Sequence, residues 1–332
     1  MRYTSCMPKT RVAVLRGGPS SEYDVSLKTG GEVLSALRNR HVDSYQPIDV
    51  VIDRDGMWYI EGLAVQPEAA LSRFDVAFNA LHGRYGEDGK LQGFFETHGM
   101  PFTGSGSLAS AVGMNKSLSK KRMADHDIKT PHGKEFLQPK ADDDIQSVAQ
   151  TIFNSFSLPV VVKPVSSGSS VGVSVVRDRK NLLSAITEAA KYGDVLVEEF
   201  IPGIEATCGV IEGFRGQKIY PLPVVEIRPE TAFFDFEAKY QGKSKEIVPA
   251  TFSEKWKKEI ESLAVRIHQA LGLRHYSRSD FIIHPKRGIY ALEVNTLPGL
   301  TGESLIPKSL RAVGSDLPTL VDHLIRLAVD ND

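Results

Sequence analysis

Four polar side chains of the kinds that bind metal ions and phosphates are predicted to share one face of a β-hairpin. They lie within residues 278–295, where two apolar runs flank the turn-forming sequence Pro-Lys-Arg-Gly. Side chains on one face of a strand repeat every second residue, so counting back from the turn places the four together. They are Arg278, Asp280, Glu293 and Asn295.

The register of this hairpin depends on the length of its turn. We predict a four-residue loop, Pro285–Gly288, which pairs His284 with Ile289. The same count places Asp280 opposite Glu293. Opposed carboxylates repel each other in an ordinary sheet, whereas together with an amide oxygen they suit a Mg²⁺ ion that holds phosphates. A solvated polar face would show the same pattern, so the hairpin alone leaves both interpretations open.

A loop of small residues, Gly168–Gly172, is typical of a phosphate-binding segment. Its backbone N–H groups could approach an anion closely, because no bulky side chains intervene. It is not a Walker A loop, but Lys116 and Lys163 precede it, and Lys163 ends a strand that is otherwise apolar. Two lysines, a glycine loop and carboxylate-bound Mg²⁺ together predict a nucleotide site.

The same loop also matches the Gly-x-Ser-x-Gly pattern of serine hydrolases. That pattern needs a strand, a sharp turn and then a helix, whereas the β-like residues 173–176 follow here. We therefore favour phosphate binding over nucleophilic catalysis for this loop.

The composition of the chain argues against several other classes of protein. Forty basic residues against forty-one acidic ones give a net charge of −1, which disfavours nucleic-acid or membrane binding through bulk charge. No apolar run approaches the roughly 18–20 residues of a membrane span, and no signal-peptide pattern is present. Only Cys6 and Cys208 occur, so no disulfide framework is expected. We expect a cytoplasmic protein without nucleic-acid or membrane partners.

The order of the predicted elements indicates an α/β protein that is α+β in part. Residues 11–15 predict a short buried strand, which is followed by a Gly-Gly-Pro turn and a helix whose first turn carries Glu22. A second apolar strand, residues 74–81, runs into a glycine-rich loop that begins with His82. Loops at the carboxyl ends of strands form ligand sites in Rossmann-like parallel sheets.

Breaker sequences divide the chain into three predicted domains, residues 1–106, 107–203 and 204–332. Residues 108–126 predict one helix that carries Lys116. Residues 231–251 have mixed character and no clear element, which is typical of a functional lid.

Taken together, the motifs resemble those of the D-alanine–D-alanine ligases of the ATP-grasp superfamily. The resemblance runs from about Arg11 to the C-terminus, and the motifs occur in family order. They are VLRGGPSSEYDVSL, ALHGRYGEDGKLQG, PFTGSG, VKPVSSGSSVGVS, FFDFEAKY, SRSDF and LEVNTLPGLTGESLIP. The resemblance implies a three-domain ATP-grasp architecture, in which two α+β domains grip ATP and the N-terminal domain holds the first D-alanine.

The resemblance also implies roles for individual residues. Two Mg²⁺ ions, or Mn²⁺, would be held by Asp280, Glu293 and Asn295. ATP would be bound by Lys116, Lys163, Ser169, Ser170, Glu198, Glu199, Ile201, Glu205 and Lys239. The two amino acids would be bound by Glu22, His82, Arg278, Gly299, Ser304 and Leu305. The catalytic residues would be Glu22, Ser169, Tyr240 and Arg278.

Within these sets, Glu22 is implied to hold the ammonium group of the first D-alanine and to share a network with Ser169 and Tyr240. Ser304 and Leu305 correspond to the pocket for the carboxylate of the second D-alanine. Some family members have Glu-Lys where this chain has Glu-Glu at residues 198–199, which puts a lysine contact to adenine in doubt.

The implied activity is the ATP-dependent ligation of two D-alanine molecules through D-alanyl phosphate, for peptidoglycan precursor synthesis, by a homodimer. The alternatives are a D-alanyl-D-lactate or D-alanyl-D-serine ligase, another ATP-grasp carboxylate–amine ligase and a non-catalytic nucleotide-binding protein. The segment Glu237–Tyr240, which D-lactate-selective relatives replace, favours D-alanine. A non-catalytic protein would be expected to have lost at least one of the four hairpin residues, and all are present.

Overall fold

The first sheet of the protein is mixed, with parallel pairing at its centre and antiparallel pairing toward one edge. A computed structural model describes residues 8–168, 170–229 and 244–330. The strands of this sheet are β1 (Thr10–Gly17), β2 (Tyr45–Ile52), β3 (Trp58–Ile60), β4 (Leu63–Val65) and β5 (Val76–Asn79). They lie in the order β4-β3-β2-β1-β5; β1 is parallel to both β2 and β5, whereas β3 is antiparallel to both β2 and β4. The accompanying helices are α1 (Tyr23–Arg40), α2 (Pro67–Ala70) and α3 (Lys90–Thr97), with a 3₁₀ turn at Leu71–Arg73.

The second sheet is antiparallel and four-stranded. Its strands are β6 (Gly133–Phe136), β7 (Val160–Pro164), β8 (Ser174–Val176) and β9 (Val195–Glu199), in the order β6-β9-β7-β8. Helices α6 (Asp142–Ser155) and α7 (Leu182–Ala190) pack on it, with a 3₁₀ turn at Arg179–Asn181 between β8 and α7. A shared core joins Ile152 and Ile186 of these helices to Val162 of β7. Strand β8 follows the small-residue loop, so the structure shows no nucleophile elbow there.

The third sheet is also antiparallel and has six strands. They are β10 (Ile204–Glu212), β11 (Ile219–Pro221), β12 (Val225–Pro229), β13 (Ser244–Ile247), β14 (Tyr276–His284) and β15 (Gly288–Asn295). Their order is β13-β12-β10-β14-β15, and β11 pairs with β10. The remaining helices are α4 (Ser107–Met114), α5 (Lys116–Ala124), α8 (Glu254–Ala270), α9 (Leu305–Ala312) and α10 (Leu317–Asp330), with a 3₁₀ turn at Phe214–Gly216.

Strand β1 is the centre of the first sheet, and its alternating side chains enter two different cores. Val12 and Val14 pack with α1 and α10, whereas Ala13 and Leu15 pack with Trp58 and the side of α3. All four β1 residues are fully buried. Burial on both faces is what a parallel strand requires, and it explains the continuous apolar run Val-Ala-Val-Leu. The carboxyl ends of β1 and β5 therefore meet at one edge, where the predicted ligand loops begin.

The predicted mixed α/β architecture is confirmed, although several boundaries differ from the sequence prediction. The helix predicted over 108–126 is divided into α4 and α5 at Asn115, whose side chain accepts a hydrogen bond from Leu118 N at 2.9 Å and caps α5. Part of the predicted lid, Ser244–Ile247, is the strand β13. Residues 231–243 of that prediction lie outside the described residues.

The predicted domain boundaries at 106/107 and 203/204 remain a proposal. Helix α5, which falls in the proposed middle domain, packs through Met123 on the core of the third sheet beside Ile260 and Phe281. Helix α10, in the proposed last domain, packs instead against α1 of the first sheet. Within the described ranges no helix is both long enough and apolar enough to cross a bilayer.

Candidate active site

A cleft of about 430 Å³ is lined by strands of the second and third sheets and by segments that follow β1 and β5 of the first sheet. Every sequence-predicted site residue that the structure describes lines it. These are Glu22, His82, Lys116, Lys163, Ser170, Glu198, Glu199, Ile201, Glu205, Arg278, Asp280, Glu293, Asn295, Gly299, Ser304 and Leu305. The other predicted site residues, Ser169, Lys239 and Tyr240, lie outside the described residues. The volume of the cleft is within the usual range for a small-molecule site.

Strands β14 and β15 bring the four predicted hairpin residues together. Arg278 is the cross-strand partner of Asn295, and Asp280 is the partner of Glu293. The predicted register is therefore confirmed at the site, and all four residues line the cleft.

Nearer the turn, the predicted register is wrong. His284 pairs with Gly288 rather than with Ile289, so the loop is residues 285–287. Gly288, at the start of β15, has a φ of +83°, a left-handed conformation that glycine adopts readily. An extra residue on β15, Leu292, then shifts the pairing between Asp280 and the next residue of β14. This β-bulge restores the register at the site.

The bulge also gives two consecutive residues of β15 the same orientation. Neighbours in a regular strand point to opposite faces. Leu292 and Glu293, however, are both half-buried and line the cleft, whereas Ala291 and Val294 on either side of them are buried. An apolar side chain and a carboxylate are thus placed side by side on its wall. Sequence periodicity conceals Leu292, because alternation would turn it away from Glu293.

Asp280 is held by hydrogen bonds from two neighbours. Arg278 Nε and Nη2 donate to its two carboxylate oxygens, both at 2.9 Å, in a bidentate arrangement. Thr207 Oγ1 donates to Oδ1 at 2.6 Å from β10. These contacts fix the carboxylate on the cleft floor.

The donor set of the hairpin fits a magnesium ion in its chemistry. Asp280, Glu293 and Asn295 offer hard oxygens on one face, and Mg²⁺ in phosphate sites uses few protein carboxylates, with phosphate and water completing its shell. Glu293 Oε2 lies 3.5 Å from Lys116 Nζ, and Asn295 Oδ1 accepts from Leu297 N at 2.9 Å. The described residues contain no cluster of three His, Cys, Asp or Glu side chains suited to a metal. The hairpin face offers two carboxylates and one amide oxygen.

A buried cluster of two lysines and one glutamate lies beside the hairpin. Glu198 on β9 is only 2% exposed, and its Oε2 lies 2.7 Å from Lys163 Nζ. Its Oε1 forms a close ion pair with Lys120 Nζ. Lys120 was missed by the sequence prediction, although it lies four residues after Lys116 and therefore shares its face of α5.

Burial and charge act in opposite directions on the pKa values of this cluster. Burial disfavours the charged form of Glu198, but Lys120 and Lys163 outweigh it and hold its pKa below the ordinary value. Burial lowers the pKa of Lys120 to about 7, against the attraction of Glu198. For Lys163 burial is outweighed by Glu198 and then by Glu293, so its pKa is raised. The carboxylate of Glu198 thus holds two lysine side chains next to the predicted phosphate loop.

Lys116 holds the segment that leads into the predicted phosphate loop, Gly168–Gly172. Its Nζ donates to Ser167 O at 2.5 Å, and its backbone N donates to Val165 O at 3.0 Å. The break between α4 and α5 puts Lys116 at the first position of α5, where it can make both contacts. Ser170 in the loop has a φ of +58°, a left-handed conformation that few residues adopt.

The loops of the first sheet form the opposite wall. Ser20 Oγ donates to His82 O at 2.7 Å and accepts from Glu22 N at 3.1 Å, so one hydroxyl ties the two loops together. His82 Nε2 lies 2.8 Å from Thr29 Oγ1. A Cβ atom placed on Gly168 would lie 3.3 Å from Glu22 Oε2, so the phosphate loop reaches this wall directly.

The turn that leads into α9 forms another part of the cleft wall. Ser304 Oγ accepts from Thr301 N at 3.1 Å and lies 2.9 Å from Thr301 Oγ1. A Cβ on Gly299 would lie 2.9 Å from Ser304 Oγ, so a side chain there would disturb the turn. Glu246 and Glu303 also line the cleft. The sequence prediction identified neither of them.

Comparisons with known proteins match this chain along nearly its whole length. A family model described as "D-ala D-ala ligase N-terminus" matches residues 11–69 and 61–105, and one described as "D-ala D-ala ligase C-terminus" matches residues 123–326. A D-alanine–D-alanine ligase from Pelotomaculum thermopropionicum is 39% identical over 328 residues, which cover 97% of each chain.

Solved structures show the same fold. The VanG D-Ala:D-Ser ligase from Enterococcus faecalis has a TM-score of 0.84 at 31% identity, covering 97% of this chain and 100% of its own. D-alanyl-alanine synthetase A from Vibrio cholerae has a TM-score of 0.86 at 29% identity, covering 98% and 100%. The chain is therefore similar over nearly its whole length to ligases that act on D-alanine.

Proposed function

The chain belongs to the D-alanine–D-alanine ligase family and is an ATP-dependent ligase, and we propose that its central cleft joins two D-alanine molecules through D-alanyl phosphate. The observation that carries this proposal is the meeting of three parts in one cleft: the acidic hairpin face, the buried lysine cluster and the loop that carries Glu22. Together they offer sites for a metal ion, phosphates and an ammonium group.

The phosphates of ATP are proposed to lie between Lys116, Lys163 and the loop at Gly168–Gly172. Both lysines are already held by protein oxygens, Lys116 by Ser167 O and Lys163 by Glu198. Their ammonium groups are thus oriented before ATP binds, and little reorganisation is needed when charge moves during phosphoryl transfer. Ser169 and Lys239 keep the roles that the resemblance implies for them.

Asp280, Glu293 and Asn295 are proposed to hold Mg²⁺ against these phosphates. When bound, Mg²⁺ would neutralise phosphate charge and orient the transferred group. Arg278, beside Asp280, is proposed to stabilise the phosphoryl group during transfer, since its guanidinium can bridge phosphate and carboxylate oxygens.

The base of ATP is proposed to contact backbone and apolar side chains rather than carboxylates. Glu198 is bonded to two lysines, and Glu199 forms an ion pair with Arg287 at 2.8 Å, so both side chains are already paired. Ile201 and Leu292 line the cleft and can cover the faces of an adenine ring. Glu205, on β10, is proposed for the ribose hydroxyls.

Glu22 is proposed to bind the ammonium group of the first D-alanine, with His82 close to the same site. The carboxylate of that substrate attacks the γ-phosphorus of ATP, so D-alanyl phosphate forms and ADP leaves. Tyr240 is proposed to join Glu22 and Ser169 in this part of the site, as the resemblance implies.

The second D-alanine is proposed to place its carboxylate at Ser304 and Leu305, near Gly299. Its amine, once deprotonated, attacks the acyl carbon, and inorganic phosphate leaves with the C–O bond electrons. Positioning contributes most here, because an acyl phosphate is reactive enough without covalent help from the protein. Water must be excluded, since it would hydrolyse the same intermediate.

Two assays test this function. In the first assay, phosphate release is measured with ATP and Mg²⁺ in three mixtures. The first contains D-alanine alone, the second D-alanine with D-serine, and the third D-alanine with D-lactate. We expect D-alanine alone to suffice and D-alanyl-D-alanine to form. Hydroxylamine is then added as a small trapping nucleophile, and we expect D-alanyl hydroxamate. No hydroxamate and no phosphate with D-alanine would refute the proposal. Faster turnover with D-serine would instead favour the D-Ala:D-Ser ligase activity for which the VanG enzyme is named.

We also infer a cytoplasmic location, because the reaction consumes ATP, and a homodimer, because the resemblance implies one. Light scattering on the purified protein tests the second inference.

A further inference from the structure

Helix α9 docks its first turn on the β12–β13 hairpin through two adjacent contacts. Leu305 packs against Ile227 of β12, and Lys308 Nζ lies 2.9 Å from Glu246 Oε2 of β13. Ile227 and Glu246 are cross-strand partners, so they share one face of the sheet. Leu305 and Lys308 are three residues apart and share one face of the helix. The two pairs therefore form one compact joint.

Lys308 also contacts a second carboxylate at this joint. Its Nζ lies 2.9 Å from Glu303 Oε2, in the turn that leads into the helix. Lys308 is about a quarter exposed, Glu246 is a fifth exposed and Glu303 is almost wholly exposed. Burial opposes the charge of Lys308, but hydrogen bonds to Glu246 and Glu303 outweigh it and raise its pKa.

The two carboxylates line the cleft, whereas Lys308 lies behind them. Glu246 and Glu303 are both part of the cleft wall next to Ser304 and Leu305. The three charged groups sum to −1 with Lys308 present and to −2 without it. A substrate carboxylate arriving at Ser304 would meet twice the uncompensated negative charge if Lys308 were neutral.

We propose that Lys308 is a positioning residue for the second amino acid, acting through Glu246 and Glu303. Its charge offsets theirs, and its two contacts hold both carboxylates away from the carboxylate of the incoming substrate. The proposal rests on the proposed function, because it assumes that the Ser304–Leu305 turn receives that carboxylate. It assigns no role to Lys308 in the first half-reaction.

The main test is Lys308→Met, which keeps the length of the side chain and removes its charge. The dependence of the rate of dipeptide formation on D-alanine concentration gives two half-saturation concentrations, one for the first D-alanine and one for the second. Hydroxamate formation reports the first half-reaction alone. We expect the half-saturation concentration for the second D-alanine to rise about fivefold, the upper end of the effect of an exposed ion pair. Hydroxamate formation and the KM for ATP should stay within about twofold of wild type.

Rescue separates charge from structure. Lys308→Arg should behave like wild type, and Lys308→Met/Glu303→Gln should recover most of the loss, since it removes one carboxylate together with the cation. The defect of Lys308→Met should shrink at high salt, because exposed charges are screened. Lys28→Met, at an exposed lysine of α1 that does not line the cleft, is the matched control.

Several outcomes would overturn the inference. An unchanged second half-saturation concentration would do so, as would an equal loss of hydroxamate formation or no recovery in the double variant. If Lys308→Met fails to fold, Glu303→Gln alone decides: we expect a lower second half-saturation concentration, and a rise would refute the charge effect. Absence of hydroxamate from the wild-type enzyme would instead refute the proposed function.

Discussion

Asp280 and Glu293 lie directly opposite each other on β14 and β15, and each carboxylate is approached by its own cation. Arg278 bonds Asp280, and Lys116 Nζ lies 3.5 Å from Glu293. The repulsion expected between opposed carboxylates is thus offset by two side chains from different elements. This arrangement gives a cleft floor on which carboxylates and side-chain cations lie next to each other.

Removing either carboxylate charge should abolish most activity. Asp280→Asn and Glu293→Gln keep the shape of each side chain but weaken Mg²⁺ binding, so we expect kcat/KM to fall by at least about 100-fold. Partial recovery is expected at high Mg²⁺ or Mn²⁺ concentration. Asp55→Asn, in the exposed turn after β2, is the control. Wild-type kinetics in either cleft variant would remove that residue from the proposed metal site.

Leu292→Ala tests the apolar wall that the bulge creates. Loss of its contact with the base should weaken ATP binding about fivefold to tenfold, with D-alanine half-saturation unchanged. Calorimetric titration with a non-hydrolysable ATP analogue measures the effect, and Leu183→Ala, at an exposed leucine of α7, is the matched control. Unaltered affinity would mean that the base binds elsewhere in the cleft.

Deleting Leu292 tests the bulge itself. Without the extra residue, the register continued from Phe281 and Ala291 still pairs Asp280 with Glu293, so both carboxylates stay on the cleft face. We therefore expect the deletion variant to keep turnover to about the same extent as Leu292→Ala. Loss of turnover in the deletion variant alone would show that the bulge itself is needed to orient Glu293.

Glu198→Gln should destabilise the fold as well as the site. The substitution leaves Lys120 and Lys163 buried together without their carboxylate, which costs about 3–5 kcal/mol in comparable pairs. Urea unfolding measures the change in free energy of unfolding. Glu199→Gln is the control for stability: its partner Arg287 is exposed, so the expected change is at most about 1 kcal/mol. Similar losses in both variants would contradict the special role of the buried cluster.

Stability should fall in acid because of His275. Its Nδ1 accepts a hydrogen bond from Gly104 N at 3.0 Å, and burial, followed by Arg274, lowers its pKa from 6.5 to about 4. Between these values the unfolded chain binds a proton that the folded chain does not. The free energy of unfolding therefore falls as the pH decreases through this window, by up to about 3 kcal/mol.

The variant His275→Asn isolates this contribution. Residue 275 has a φ of +63°, which asparagine tolerates better than most residues. Urea unfolding at pH 7.5, 6 and 5 should show a shallower pH dependence in the variant than in wild type. Identical slopes would assign the acid sensitivity to other groups.

The residues of the site could be predicted from the sequence, but the local geometry of the hairpin that carries them could not. The pairing of Asp280 with Glu293 was predicted from a four-residue turn, but the real loop is one residue shorter and the bulge at Leu292 compensates. Residue types and alternation identify the face of a strand, whereas bulges depend on packing that no periodicity records. The confirmed pairing therefore rests on two local errors that cancel.

Other features required the folded chain. The division of the predicted helix at Asn115 had a sequence signal, since asparagine favours the helix N-cap, yet the apolar pattern ran across it. The ion pair of Lys120 and Glu198 joins residues far apart in sequence. The spacing from Lys116 places Lys120 on a face of the helix but does not show that it is buried. Burial of a charge is a property of tertiary structure, so such residues are found only when their partners are placed.

The packing of α10 on α1 bears on how the protein is made. Leu324 shares a core with Val12 and Val33, so the first sheet, complete in sequence by residue 79, lacks one of its covering layers until residue 330 has been synthesised. During translation the first sheet would emerge early with an apolar face uncovered, and proteins of this size are prone to aggregate in such states. Productive folding thus couples the first element of the chain to the last one described.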